Sequence, residues 1–159
     1  MCNEAYAAGL IDGEATVYLK KSTYRSRSEK WKDCINPQYQ PVIKVKMVNK
    51  AALEFLKNMF GGSFYQEKRA YPSHNGFNTS KILWSWSVSD KNAIRVCEAI
   101  LPYSIVKKEN LQNLIDLYYL KKKAALKRKS DGKFHGQPYS QEWIVEFEKY
   151  YTRSKELNA

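Results

Sequence analysis

The stretch Ala7-Ala8-Gly9-Leu10-Ile11-Asp12-Gly13-Glu14-Ala15 decides how the rest of the chain is read. It ends a short helix expected from Asn3, as the N-cap, to Gly13, which punctuates the end. Ala5, Ala8 and Gly9 fall three and four residues apart and so share one helical face. Small side chains there let another helix approach closely, while Leu10 and Ile11 point elsewhere, into a core. Asp12 and Glu14 place two carboxylates at the C-terminal end, where the helix dipole disfavours negative charge. A hard divalent cation with oxygen ligands would compensate.

Outward from this helix the pattern alternates. In Thr16 to Thr23, Val17 and Leu19 point one way, and Tyr18, Lys20 and Ser22 the other, which predicts a half-buried strand. Tyr24 to Gln40 reads as a polar segment that carries four Lys or Arg together with the aromatic Trp31 and Tyr39. Val42 to Met47 alternates again, with Ile43, Val45 and Met47 apolar and Lys44 and Lys46 opposite. Asn49 caps a helix from Lys50 to Phe60, which Gly61-Gly62 stops. Ser63 to Arg69 is a third strand, whose parity stays open because either Phe64 or Tyr65 could face inward. Tyr71 to Ser80, with Pro72, Asn75 and Gly76, is a loop. Lys81 to Val88 is a fourth strand, with Ile82, Trp84, Trp86 and Val88 on one face and Lys81, Leu83, Ser85 and Ser87 on the other. Ser89 or Asp90 caps a helix to Leu101, with Ile94, Cys97 and Leu101 inward, and Pro102 breaks it. Val106 to about Lys129 is a longer helix with a basic end, Lys121, Lys122, Lys123, Lys127, Arg128 and Lys129. After a Gly/Pro loop, Ser140 caps a last amphipathic helix carrying Trp143, Phe147 and Tyr151.

This order predicts an α+β fold, αββαββα with further C-terminal helices. Its four-stranded antiparallel sheet has helices on one face and the other face open. One domain is expected over residues 1–159, with a core over about 3–129 and a C-terminal helix over about 140–157.

The charge points to the partner. The chain carries 27 Lys and Arg against 16 Asp and Glu, a net charge of +11. Such a surplus suits a polyanion, because cations that neutralise phosphates release condensed counterions. No run of about 18 apolar residues is present, so no membrane span is expected. Nor does Met1-Cys2-Asn3-Glu4 begin a signal peptide. Three cysteines, Cys2, Cys34 and Cys97, form neither a disulfide frame nor a zinc spacing, with Cys97 in a core pattern. The expected setting is reducing: cytoplasmic, organellar or the cytoplasm of a phage or prokaryotic host, not secreted. His74 and His135 lie in loop sequence with no partner for a catalytic pair. A twisted sheet can lie along DNA and read the major groove. The outward parity assigns that role to Tyr18, Lys20, Ser22, Lys44 and Lys46, with Arg25 and Arg27 adjoining. Gln66, Lys68 and Arg69 are the candidates of the third strand, and Lys81 and Ser85 those of the fourth.

The quoted stretch closely resembles the LAGLIDADG motif of the homing endonucleases. The resemblance continues through Gly61-Gly62, the Trp-rich fourth strand, Leu101-Pro102-Tyr103 followed by Lys107, and Glu156-Leu157-Asn158, in order over nearly the whole chain. It implies saddle-shaped sheets over double-stranded DNA, with two motif helices packed at the centre. A single motif then implies a homodimer through Ala5, Ala8, Gly9 and Asp12. By the same resemblance, Glu14 holds a divalent metal, with the carbonyl of Gly13 as a further ligand. Mg2+ suits such a site, with Mn2+ or Ca2+ as substitutes. Asp12 matches the motif's earlier acid, more often structural than catalytic. Lys107 matches the basic residue that stabilises charge on the phosphate or polarises the attacking water. The implied activity is hydrolysis of a long, near-palindromic target into 3′ overhangs, in the service of intron or intein mobility.

Two departures keep a second reading open. Ala15 stands where the motif ends in Gly, and an αL conformation there would disfavour Ala by about 1 kcal/mol or more. Met47 and Ala51 stand where some relatives carry Gln and Arg, with Lys46 or Lys50 as possible substitutes. A protein that binds without cutting, as an intron RNA maturase or a DNA-binding module, fits these departures. An unrelated RNA-binding protein would need exposed aromatics for stacking; Trp84 and Trp86 instead share the core parity.

Overall fold

The computed structural model describes residues 2–25, 35–67, 82–132 and 139–159. Helix α1 (Asn3–Glu14) runs directly into β1 (Ala15–Arg25), which pairs antiparallel with β2 (Ile35–Met47). After α2 (Lys50–Phe60) come β3 (Ser63–Gln66) and β4 (Trp84–Ser89), then α3 (Asp90–Ile100), α4 (Lys108–Ser130) and α5 (Gln141–Glu156). The strands form one antiparallel sheet in the order β1-β2-β4-β3. The expected αββαββα order with additional helices is therefore the observed one.

Period-two alternation separates the faces. Ala15, Val17, Leu19, Tyr39, Ile43, Val45, Trp86 and Val88 are buried and belong to one core with Ala7, Ala8 and Ile11 of α1, Leu53 and Leu56 of α2, and Leu111, Leu114 and Leu117 of α4. The opposite parity is left open: Thr16 faces Lys44 across the β1–β2 ladder, Tyr18 faces Val42, Lys20 faces Gln40 and Ser22 faces Gln38. As the sequence predicts, Cys97 and Trp86 are fully buried.

Several boundaries differ from the expectation. Ile35 to Gln40, expected in a polar segment, belongs to β2, which carries Pro37 and Pro41 inside a strand. Proline lacks a donor and is confined to unpaired edges. Here β2 faces β4 only from Val42 to Met47. The backbone N–H of Leu19 and carbonyl of Val17 point away from β2, to α5, so the odd residues of β2 point away from β1. At Pro37 and Pro41 that side has no neighbouring strand, and no ladder bond is lost. Lys121 satisfies this free edge by donating to the carbonyl of Tyr39 at 2.7 Å. Burial pushes its ammonium pKa down, and it serves the fold rather than the basic tail it was expected in.

β4 begins at Trp84, so Ile82 and Leu83 fall outside the strand expected to include them; the paired stretch of β2 ends at Met47, opposite Trp84, and β3 ends at Gln66, also opposite Trp84. Cys2, not Asn3, occupies the N-cap of α1, whereas Asn49 caps α2 as expected, accepting from the N–H of Ala52. Gly62 sets the turn into β3: its φ is +86°, and a Cβ there would meet the carbonyl oxygen of Ser87 at 2.5 Å. The outer edge of β1 is closed by α5, where Ser154 Oγ accepts from Leu19 N–H at 3.0 Å and Asn158 Nδ2 donates to Val17 O at 2.9 Å. Such cover prevents an edge strand from pairing with another chain. No helix among the described residues is long and apolar enough to cross a membrane.

Candidate functional site

The end of α1 is fastened to the turn before α4 by one side chain. Asp12 accepts from Ser104 Oγ at 2.5 Å and from the backbone N–H groups of Ile105, Val106 and Lys107 at 2.7, 3.1 and 3.0 Å. Acids at a helix C-terminus are disfavoured, but this one sits at the positive start of a second helix. Partial burial pushes the Asp12 carboxyl pKa up; the Ser104 hydroxyl and the N–H groups of Ile105, Lys107 and Val106 outweigh this and hold it below the ordinary value. The contacts also explain why α4 starts at Lys108 rather than Val106. Ile105 and Val106 belong to the clasped turn and are 86% and 70% exposed.

The clasp has two consequences for the expected site. Asp12 is committed to four donors, so it is a positioning residue and supplies no free oxygen to a cation. It also places the backbone of Lys107 beside the last turn of α1, two residues from Glu14. Glu14 and Gly13 are exposed. The Glu14 carboxylate and the Lys107 ammonium have no partner among the described residues. Nor do the described residues contain any cluster of three His, Cys, Asp or Glu. One chain thus offers the Glu14 carboxylate and the carbonyl of Gly13, in a turn whose last carbonyls lack helical donors. An all-oxygen set with few protein ligands fits Mg2+, which keeps several waters.

Ala15 does not disturb this geometry. Its φ and ψ are −86° and 149°, extended backbone that any residue adopts, and its methyl is buried. The Gly of the resembled motif is not required here. Ala15→Gly is expected to lower stability by about 1–2 kcal/mol, from the lost buried methyl and the added chain freedom, without improving activity. Denaturant midpoints of the two proteins check this.

The open sheet face starts directly beyond Glu14. Thr16, two residues on, pairs with Lys44, and Lys46 follows on the same parity. Tyr18, Lys20 and Ser22 share this face. Arg25 ends β1 opposite Ile35. Arg27, Lys68, Arg69 and Lys81 lie outside the described residues, as do Cys34, His74 and His135.

Three expected residues stand elsewhere. Gln66 pairs with Trp84, which puts it on the helix-side parity, although it is exposed. Ser85 has the open-face parity, opposite Lys46 and Tyr65, yet is fully buried because longer neighbours cover it. Ala8 packs into its own chain's core with Ala7 and Ile11, so the exposed small residues of α1 are Ala5, Gly9 and Gly13. Met47 has the core parity and is half-buried, and Lys50 is paired with Glu54 at 2.9 Å.

Two residues were missed. Tyr65 and Glu67 face outward beside Lys44 and Lys46; Tyr65 Oη lies 3.4 Å from Lys44 Nζ, and Glu67 Oε1 lies 3.0 Å from Lys46 Nζ and 3.6 Å from Lys44 Nζ. Period two over Phe64–Glu67 was the available signal, once Phe64 is known to face Trp86.

No protein-family profile and no curated protein matches the sequence. Solved structures do match its fold. The homing endonuclease I-CvuI, solved in complex with the I-CreI target, has a TM-score of 0.62 at 14% identity, over 97% of this chain and 80% of that one. The homing endonuclease I-TnaI has a TM-score of 0.60 at 13% identity, over 98% of this chain and 92% of that one. The archaeal intron-encoded homing endonuclease I-Vdi141I, complexed with DNA, has a TM-score of 0.51 at 16% identity, over 98% of this chain and 96% of that one. The chain has the fold of the LAGLIDADG homing endonucleases.

Proposed function

We infer that the chain is a site-specific endonuclease of double-stranded DNA that works as a homodimer. The observation that carries this reading is the Asp12 clasp, which brings an unpaired carboxylate, Glu14, and the turn bearing an unpaired lysine, Lys107, to the end of the sheet where the basic open face begins. The net charge of +11 supplies attraction to phosphate. Tyr18, Lys20, Ser22, Lys44 and Lys46 lie against the groove. Glu14 and the carbonyl of Gly13 would hold a divalent cation, with Mg2+ the best fit to an all-oxygen set with few protein ligands. When bound, this ion lowers the pKa of a water and offsets charge on the leaving oxygen. Lys107 stabilises charge on the attacked phosphate. Incubating the protein with a randomised double-stranded DNA library and Mg2+ tests the reading. Recovery of one long, near-palindromic site cut with short 3′ overhangs supports it, and an uncut library overturns it.

The pairing of two copies rests on α1. Ala5, Gly9 and Gly13 recur every four residues on its exposed side, with Tyr6, 47% exposed, beside them. Close packing of two such helices brings two Glu14 carboxylates together, one for each strand, in a symmetric arrangement. A Cβ added at Gly9 meets nothing within 4 Å of its own chain, so Gly9→Leu is expected to leave the fold intact and block the second copy. Sedimentation should then show a dimer for the parent protein and a monomer for the variant. Equal masses for the two would remove α1 as the interface. Ala8→Leu would not answer the same question, because it overpacks the chain's own core.

A further inference from the structure

Glu67 is an acid on a face otherwise rich in donors and built to meet a polyanion. Its backbone is anchored, since its N–H donates to Leu83 O at 2.9 Å just beyond the β3–β4 ladder. Its side chain is 23% exposed and lies between Lys44 and Lys46 of β2. Lys46 holds the carboxyl pKa below the ordinary value, so it stays ionised at neutral pH. Beneath it, the small Ser85 lets Glu67 and Tyr65 lie across the sheet. The result is a donor–acceptor–donor row, Lys44, Glu67 and Lys46, with each lysine held by a neighbour.

A carboxylate so placed repels phosphate and is useful only toward a hydrogen-bond donor. In the major groove the donors are the amino groups of cytosine and adenine, and acidic side chains suit cytosine N4. Guanine offers two acceptors, O6 and N7, which suit lysine. A lysine beside a carboxylate therefore complements one G·C pair, edge for edge. Resting on the reading of the open sheet as the DNA face, we propose that Glu67 is a specificity-determining residue that accepts from cytosine N4 while Lys44 or Lys46 donates to guanine of the same pair. Its second effect is to keep the two lysines off the phosphates, so that sequence-independent binding is weakened.

Binding of the parent protein to a randomised double-stranded DNA library in EDTA, so that nothing is cut, tests this. The selected sites should prefer G·C at one position of each half-site by roughly ten- to hundred-fold. Glu67→Ala should flatten the preference at that position alone and raise affinity for random DNA. Glu67→Gln should move the same position toward adenine, the base that glutamine reads. If Glu67→Ala keeps every preference while Lys44→Ala and Lys46→Ala weaken binding, the sheet is the DNA face and the role of Glu67 is overturned. If the lysine variants bind as the parent does, with the same salt dependence, the sheet reading itself fails, and the proposal with it.

Discussion

Glu14→Gln is expected to abolish DNA cutting, by several orders of magnitude, while the protein folds and binds DNA as before. Glutamine keeps the shape of glutamate but lacks the charge that retains a hard cation. The side chain is exposed and makes no hydrogen bond or ion pair within the described residues, so the fold loses little by the change. Two Glu14 carboxylates at a dimer centre repel phosphate unless cations intervene. Binding in EDTA is therefore expected to improve slightly in the variant. Lys107→Met should slow cutting less completely, because its side chain stabilises charge without holding the ion. The measurement is cleavage of a library-selected target by each protein with Mg2+ and with EDTA. Equal cutting by parent and Glu14→Gln, or cutting by the parent in EDTA, would falsify the role of Glu14.

Asp12→Ala is expected to be the most damaging change to stability among those considered, about 2–3 kcal/mol, because the part-buried Ser104 hydroxyl and Lys107 N–H lose a charged acceptor, while the exposed N–H groups of Ile105 and Val106 turn to water. The turn from Ser104 to Lys107 then loses its fixed relation to α1, and cutting should fall with it. Asp12→Asn keeps one acceptor oxygen and should lose about half as much. The pH dependence gives an independent check. The folded-state pKa of Asp12 lies below its unfolded value of about 3.9. Its ionised form therefore contributes stability that is fully present above that unfolded value. The contribution is lost as pH falls through the lower folded value. The stability gap between the parent and Asp12→Asn should be constant near neutrality and narrow below about pH 4. Urea midpoints for the two proteins at pH 7 and pH 3 test this; a gap that widens on acidification would overturn the assignment.

The local sequence determined the order of elements, the faces of β1, of the Val42–Met47 part of β2 and of β4, and the acid-bearing end of α1. Tyr18, Lys20, Ser22, Lys44 and Lys46 were legible as one face because a strand alternates whatever surrounds it. Trp86 and Cys97 were legible as core for the same kind of reason, since apolar periodicity reports the side that a core must cover. What stayed hidden depended on segments distant along the chain. Asp12 meets donors 92 to 95 residues away, so its sequence context shows an acid at a helix end but not the helix start that receives it. Pro37 and Pro41 argue against a strand until the sheet order shows that β4 does not reach them. Ala8 and Gly9 look alike as small residues one position apart, and only the packing of α1 decides that one is buried and the other exposed. Ser85 has the parity of a reader but lies under its neighbours, and Glu67 takes its place beside Lys44 and Lys46 only once the register of β3 against β4 is set. Periodicity says which way a side chain points; which other segment covers, clasps or completes it is a property of tertiary packing alone.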